Sequence, residues 1–246
     1  MDWSVALSTL IGVSALVAIT AIALRLYGLK QWYSGALAIM RAAAQLAVLS
    51  LVLAIVIEDL VWVWLALGVM LLAAILTAGR RLHADWRMLL TIAGTMALAA
   101  TVTLAAILVS GAVQLTSQYV LAIGGIVVGN TMTITTLTGR HYHSSVVARR
   151  DEVEGRLALG ATPRQSTIDI ARNAVREALI PSIDQTRTTG LVVLPGAFVG
   201  AVFAGASPIE AGRFQLVVLA GILCAGALVA VSLSESMSRS KTVPTQ

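Results

Sequence analysis

The chain has 246 residues, of which 58% are hydrophobic and 12% charged, with a mean hydropathy of +0.88. Charge at roughly half the usual share of about 25%, with so much apolar content, excludes disorder, a coiled coil and a disulfide scaffold, and argues against a soluble domain. The single cysteine, Cys224, can form no internal disulfide, and the net charge of +5 bears on membrane topology rather than on nucleic acid.

A membrane span needs about 20 apolar residues, so the length accommodates about six or seven. Seven segments qualify: 4–24, 36–57, 60–78, 88–110, 117–138, 189–206 and 212–234. The first is too long for a signal peptide and has only Asp2, with no Lys or Arg, before it. The connections after the first, third and fifth segments hold Arg25 and Lys30, then Arg80, Arg81 and Arg87, then Arg140, Arg149, Arg150, Arg156, Arg164, Arg172, Arg176 and Arg187. With Arg239 and Lys241 of the tail, these all fall on one side if there are seven crossings. The other side receives Asp2, Glu58, Asp59, Glu210 and one basic residue, Arg213. The bias toward cytoplasmic arginine and lysine then places the N-terminus outside and the C-terminus in the cytoplasm of a cell-membrane protein. Trp3, Trp62 and Trp64 read as interfacial anchors at one end, and Trp32 and Tyr33 at the other. The whole chain, 1–246, reads as a single all-α transmembrane domain with one cytoplasmic excursion over about 139–188.

The excursion is too polar for hydrocarbon and reads as two helices. The first starts near Ser144 or Ser145 as N-cap and runs to about Leu159, with Gly160 as its C-cap. The second has Thr162 as N-cap and Pro163 at its first position, runs to about Ile180 and stops at Pro181. Ile168, Ala171, Val175, Ala178 and Leu179 form a narrow apolar stripe along it. A solvated surface loop accounts for such a segment. The run Glu154-Gly155-Arg156-Leu157-Ala158-Leu159-Gly160-Ala161-Thr162-Pro163, with Ile170 ten residues after Gly160, also resembles the coupling loop through which many ABC permeases dock on an ATPase. The Leu-Pro that usually follows the Ile is absent. Gly155 and Gly160 share the glycine spacing of a phosphate-binding loop, but Ala161 stands where Lys is required. ATP-driven work therefore calls for a separate ATPase chain.

Several polar residues fall within the spans. Arg41 lies near the cytoplasmic end of the second segment, with Gln45 one turn further in on the same face. Arg41 reads either as a snorkelling interface charge or as a gate. The fifth segment carries Gly124, Gly125, Gly129, Asn130, Thr131, Thr133, Thr135 and Thr136. Close packing, with Thr hydroxyls returned to the backbone, explains most of these. Asn130 needs amide partners in a dry site and could line a pathway with Met132, a soft ligand. Asp184 stands where the chain re-enters the membrane, and Pro195-Gly196 interrupts the sixth segment, as broken helices do along transport pathways. His141 and His143 are too few for a metal site and read as surface residues, and Cys224 reads as packing.

In order along the chain, Arg41 and Gln45, Gly124-Gly125-Ile126-Val127-Val128-Gly129-Asn130-Thr131-Met132, Leu157 to Gln165, Ala178 to Asp184, and Gly190 to Gly196 resemble the motifs of the FetB-type permease family, UPF0014. The resemblance covers roughly residues 35–220. It implies the permease subunit of an ABC transporter, with a role in iron efflux or in metal and oxidative-stress resistance in bacteria, and relatives tied to aluminium tolerance in plants. It also implies a cytoplasmic ATPase partner that binds ATP and Mg, with no cofactor in this chain, and a permease homodimer in the lipid bilayer. The family's Leu-Pro-Gly is often followed by Met-Met, whereas here Ala197-Phe198 follow Gly196. The resemblance implies ATPase coupling through Glu154, Gly160, Ala161, Thr162 and Pro163. The expected pathway uses Arg41, Gln45, Asn130, Met132, Asp184, Pro195 and Gly196. An ion-gradient-driven transporter is the alternative, but it calls for acids deep within spans, and Glu58, Asp59, Glu210 and Glu235 sit at span ends. The motifs of an intramembrane enzyme are absent.

Overall fold

A computed structural model describes residues 3–239 as an all-helical protein. The helices are α1 (Trp3–Leu26), α2 (Ser34–Val56), α3 (Leu60–Arg81), α4 (Trp86–Val109), α5 (Ser117–Ala148), α6 (Arg150–Ala158), α7 (Pro163–Thr188), α8 (Gly196–Phe203) and α9 (Pro208–Ser238). Among the described residues six helices are long and apolar enough to cross a membrane: α1 to α5 and α9. Asp2 and Lys241, used in the charge argument, lie outside the described residues.

The contacts divide the chain into two units, Met1–Val56 and Ile57–Gln246. In the first, α1 and α2 form a hairpin, with Thr20 3.8 Å from the position a Cβ on Gly35 would take. The guanidinium of Arg25 lies 5.4 Å from the centre of the Trp32 ring, a cation–π contact beside the turn. Both helices are predominantly apolar and largely exposed, the pattern of helices that lipid or protein covers.

The second unit is a bundle whose directions follow from its side-chain contacts. Leu67 and Leu82 fill the space beside Gly124 and Gly139, so α3 and α5 run the same way. The hydroxyl of Thr103 lies 3.6 Å from the Cys224 sulfur and Ile107 abuts Gly221, so α4 runs against α9. Tyr119 packs on Phe214 at 5.1 Å, and Asn130 meets Ile222, so α5 and α9 run together. Arg164 pairs with Glu235 and Leu179 lies against Gly226, so α7 runs back along α9. The core between them is built from residues such as Ile92, Met96, Ile123, Val127, Ile134, Ala178, Val229 and Leu233.

Four expectations are corrected. The segment 189–206 is not one continuous helix long enough to span a membrane by itself. Gly190 (φ +87°) and Gly205 (φ +97°) are left-handed, and only the eight residues of α8 are helical. Pro195 and the turn in which the Gly190 N–H donates to the Val193 carbonyl leave no room for a continuous helix. The chain instead passes from the Glu235 end of α9 to its Ser207 cap along α7 and α8. Secondly, α7 continues through Pro181 to Thr188, because burial of Ala178 and Ser182 on either side offsets the lost hydrogen bond, a cost of about 3 kcal/mol. Thirdly, Ser144 and Ser145 cap nothing. The helix of the fifth span runs on to Ala148, held by Gly139 against Leu82 and by buried Tyr142 and Val146, and Ser144 donates back to the His141 carbonyl. Lastly, Cys224 is exposed, since Ala225 and Gly226 take the core side of α9.

Candidate functional site

At about 1.5 Å per residue, the 22 residues of α3 span about 33 Å, close to the roughly 30 Å of a bilayer core. The 32 residues of α5 and 31 of α9 are each about 15 Å longer. Their surplus emerges at the end of the bundle where the arginines concentrate, and there α6 and the start of α7 pack on it. Tyr142 and Val146 of α5, Val153 of α6, and Ile170, Ala171 and Ala174 of α7 form a second small core, joined by Leu157 and Met237. The excursion is thus a packed helical platform rather than a loose loop.

Its outermost feature is the turn between α6 and α7. The Gly160 N–H donates to the Leu157 carbonyl at 2.9 Å and the Ala161 N–H to the Arg156 carbonyl at 3.0 Å, a complete Schellman closure with Gly160 at φ +90°. Thr162 then caps α7 reciprocally with Gln165, and Pro163 opens the helix. The capping expected from the sequence is therefore present. Leu159, at 90% exposure, stands out from this turn as an uncovered apolar side chain.

Ion pairs fix the turn to the platform. Arg149 holds Glu152 with two 2.7 Å bonds, and Arg156 reaches Glu152 at 2.6 Å and Asp169 of α7 at 3.3 Å. The Arg149 guanidinium, with Arg156 beside it, holds the Glu152 carboxyl below the usual range. Glu154 pairs with Arg150 at 2.7 Å along the exposed face of α6. Arg164 pairs with Glu235 of α9 at 2.7 Å, and Arg239 completes that cluster at 2.8 Å. The Ser234 hydroxyl donates to the Ala171 carbonyl. These links between α7 and α9 join residues more than sixty positions apart, and no local pattern announces them.

The expected pathway residues are divided between the two units. In the first unit Arg41 and Gln45 are exposed on α2. In the second, Asn130 is half-buried and its amide donates to the Ile222 carbonyl of α9 at 3.0 Å, while Met132 packs on the core. Thr131, Thr133 and Thr136 return their hydroxyls to α5 carbonyls. Asp184 is exposed and faces Arg187 at 3.5 Å, and Pro195 and Gly196 start α8. Among the described residues the Thr135 hydroxyl is buried without a partner, unlike its neighbours, and so are the Thr138 hydroxyl and the Gln215 side-chain oxygen, two polar groups that sequence reasoning did not single out. Gly155 lies inside α6, so the Gly155–Gly160 spacing is a helix and its cap, not a phosphate loop.

Long apolar helices around a close-packed core, with a charged platform at one end, define a polytopic helical membrane protein. Comparison with known proteins makes this specific. The chain matches the uncharacterised protein family UPF0014 over residues 7–241, and it belongs to that family. It is 33% identical over 204 residues to the UPF0014 membrane protein YjkA of Bacillus subtilis, covering 80% of each chain. To the UPF0014 membrane protein STAR2 of Oryza sativa it is 38% identical over 184 residues, 74% of this chain and 65% of the relative. It is 35% identical over 129 residues to the probable iron export permease protein FetB of Escherichia coli, 52% of this chain and 50% of the relative. No solved structure matches the chain.

Proposed function

We propose that this chain is the permease subunit of an ABC transporter that exports a metal ion such as iron, driven by a separate ATPase that docks on the α6–α7 turn. The observation that carries the reading is the platform itself. A helix–turn–helix stands beyond the length of the bilayer core, closed by Gly160 and the Thr162–Gln165 caps and tied to α9 through Arg164 and Glu235. A partner that pushes on this turn moves α7, and α7 moves α9 with it. Leu159 supplies an apolar knob, and Glu154 and Arg150 the charges that set register. The iron reading rests on the E. coli relative's name.

The basic platform faces the cytoplasm, with the N-terminus outside, and two copies of the permease pair with two ATPases by analogy with ABC architecture. The pathway uses Arg41, Gln45, Asn130, Met132, Asp184, Pro195 and Gly196, with Arg41 as a gate near the cytoplasmic face. The test is reconstitution in vesicles with the co-purified ATPase and a panel of metals. ATP-dependent movement of iron supports the reading. Transport that follows an ion gradient and ignores ATP overturns it.

A further inference from the structure

Arginines at two places in the second unit differ in their partners. On the platform Arg149, Arg150, Arg156, Arg164 and Arg239 are matched with carboxylates. Around the α3–α4 turn, Arg80, Arg81, Arg87 and Arg140 are all exposed, and none of the four is in an ion pair among the described residues. The nearest carboxylate in sequence, Asp85, accepts the Met88 N–H at 2.9 Å as the cap of α4.

Backbone hydrogen bonds close the α3–α4 turn. The Ala84 N–H donates to the Gly79 carbonyl at 2.9 Å and the His83 N–H to the Arg80 carbonyl at 3.3 Å, with His83 held left-handed at φ +49°. Leu89 fills the space beside Gly79, and Leu82 the space beside Gly139. These contacts bring the ends of α3, α4 and α5 together, so Arg140 is at the same level as Arg80 and Arg81. That level is where α3, about as long as a bilayer core is thick, runs out of apolar residues. Trp86, exposed beside Arg87, suits the same interfacial depth. The platform, where a soluble partner would dock, stands further out on the extended ends of α5 and α9.

We propose that Arg80, Arg81, Arg87 and Arg140, held around the α3–α4 turn at headgroup depth, form a binding surface for anionic phospholipid headgroups. The planar guanidinium suits the phosphate oxygens, and each basic side chain at an anionic surface strengthens binding about fivefold. The inference is independent of the transport reading and needs no ATPase.

The test uses the delipidated full chain in detergent, with dioleoyl phosphatidylglycerol, dioleoyl phosphatidylcholine or inorganic phosphate added. Phosphatidylglycerol is expected to raise the melting temperature well above the effect of phosphatidylcholine, and high salt to erase the difference. The R80Q/R81Q/R87Q/R140Q variant is expected to lose the difference, while R172Q, exposed on the platform, keeps it. If the fourfold variant does not fold, the wild-type lipid comparison and its salt dependence still decide. Equal shifts with the two lipids, an undiminished shift in the variant, or full reproduction by inorganic phosphate overturns the proposal. So does a variant that keeps its lipid response and loses only association with the ATPase.

Discussion

Gly160 closes the α6–α7 turn in a conformation that L side chains rarely adopt. At φ +90° a β-branched substituent collides with its own backbone, at a cost of about 1–2 kcal/mol. Gly160→Val is expected to leave membrane insertion intact and to uncouple ATP hydrolysis from transport, read as ATPase activity no longer stimulated by substrate. Stimulation at the wild-type level would remove the turn from the mechanism. Asn130 spans the α5–α9 contact with one hydrogen bond, donated by its side-chain amide to the Ile222 carbonyl, a link worth about 1 kcal/mol. Asn130→Leu is expected to abolish transport while the protein stays folded, with a melting temperature lower by a few degrees. Transport at the wild-type rate would return this position to packing alone. Glu152 gives the pH dependence a sign. Its carboxyl titrates below the ordinary value of about 4.3, so what it contributes is present above that value and is lost as pH falls through the lowered one. The melting difference between wild type and Glu152→Gln should hold constant down to about pH 5 and shrink below about pH 4.

At the level of elements, the platform depends on the join between α7 and α9. Arg164 and Glu235 are partly exposed, so solvent screens the pair and it adds little stability by itself. Its consequence is mechanical, because it fixes the first turn of α7 to the last turns of α9. Glu235→Arg is expected to lower coupling between ATP hydrolysis and transport more than it lowers the melting temperature. Arg164→Glu in the same chain is expected to restore coupling. Failure of the double reversal to recover any coupling, with both proteins folded, would show that the ion pair does not transmit motion.

Within the second unit α3, α4, α5, the α7–α8 segment and α9 make five alternating passes, so its two ends emerge on opposite sides of the bundle. The basic clusters at Arg80–Arg87 and Arg140–Arg164 then fall at one end, in agreement with the charge asymmetry read from the sequence. A reporter fused after Gln246 is expected to report the cytoplasm. A reporter active only outside would overturn the orientation.

The sequence by itself determined the helical membrane class, five of the spans and the last one, the Gly160 turn and the Thr162–Pro163 start of α7. These depend on apolar runs and on local capping chemistry, which are written within a few consecutive residues. It was silent on the Arg164–Glu235 clip, on the shared core of Tyr142, Val153 and Ile170, and on the hydrogen bond from the Asn130 amide to the Ile222 carbonyl, because each joins distant stretches of chain. It misled at Pro181 and at 189–206. There, local rules stop a helix at proline and admit one in an apolar run. Burial of Ala178 and Ser182 kept α7 helical past its proline, and the left-handed Gly190 and Gly205 with Pro195 confined the apolar run to eight helical residues. Only the tertiary structure could decide the course of α7 past Pro181, since the free energy that settles it comes from packing on α5 and α9 and not from the segment itself.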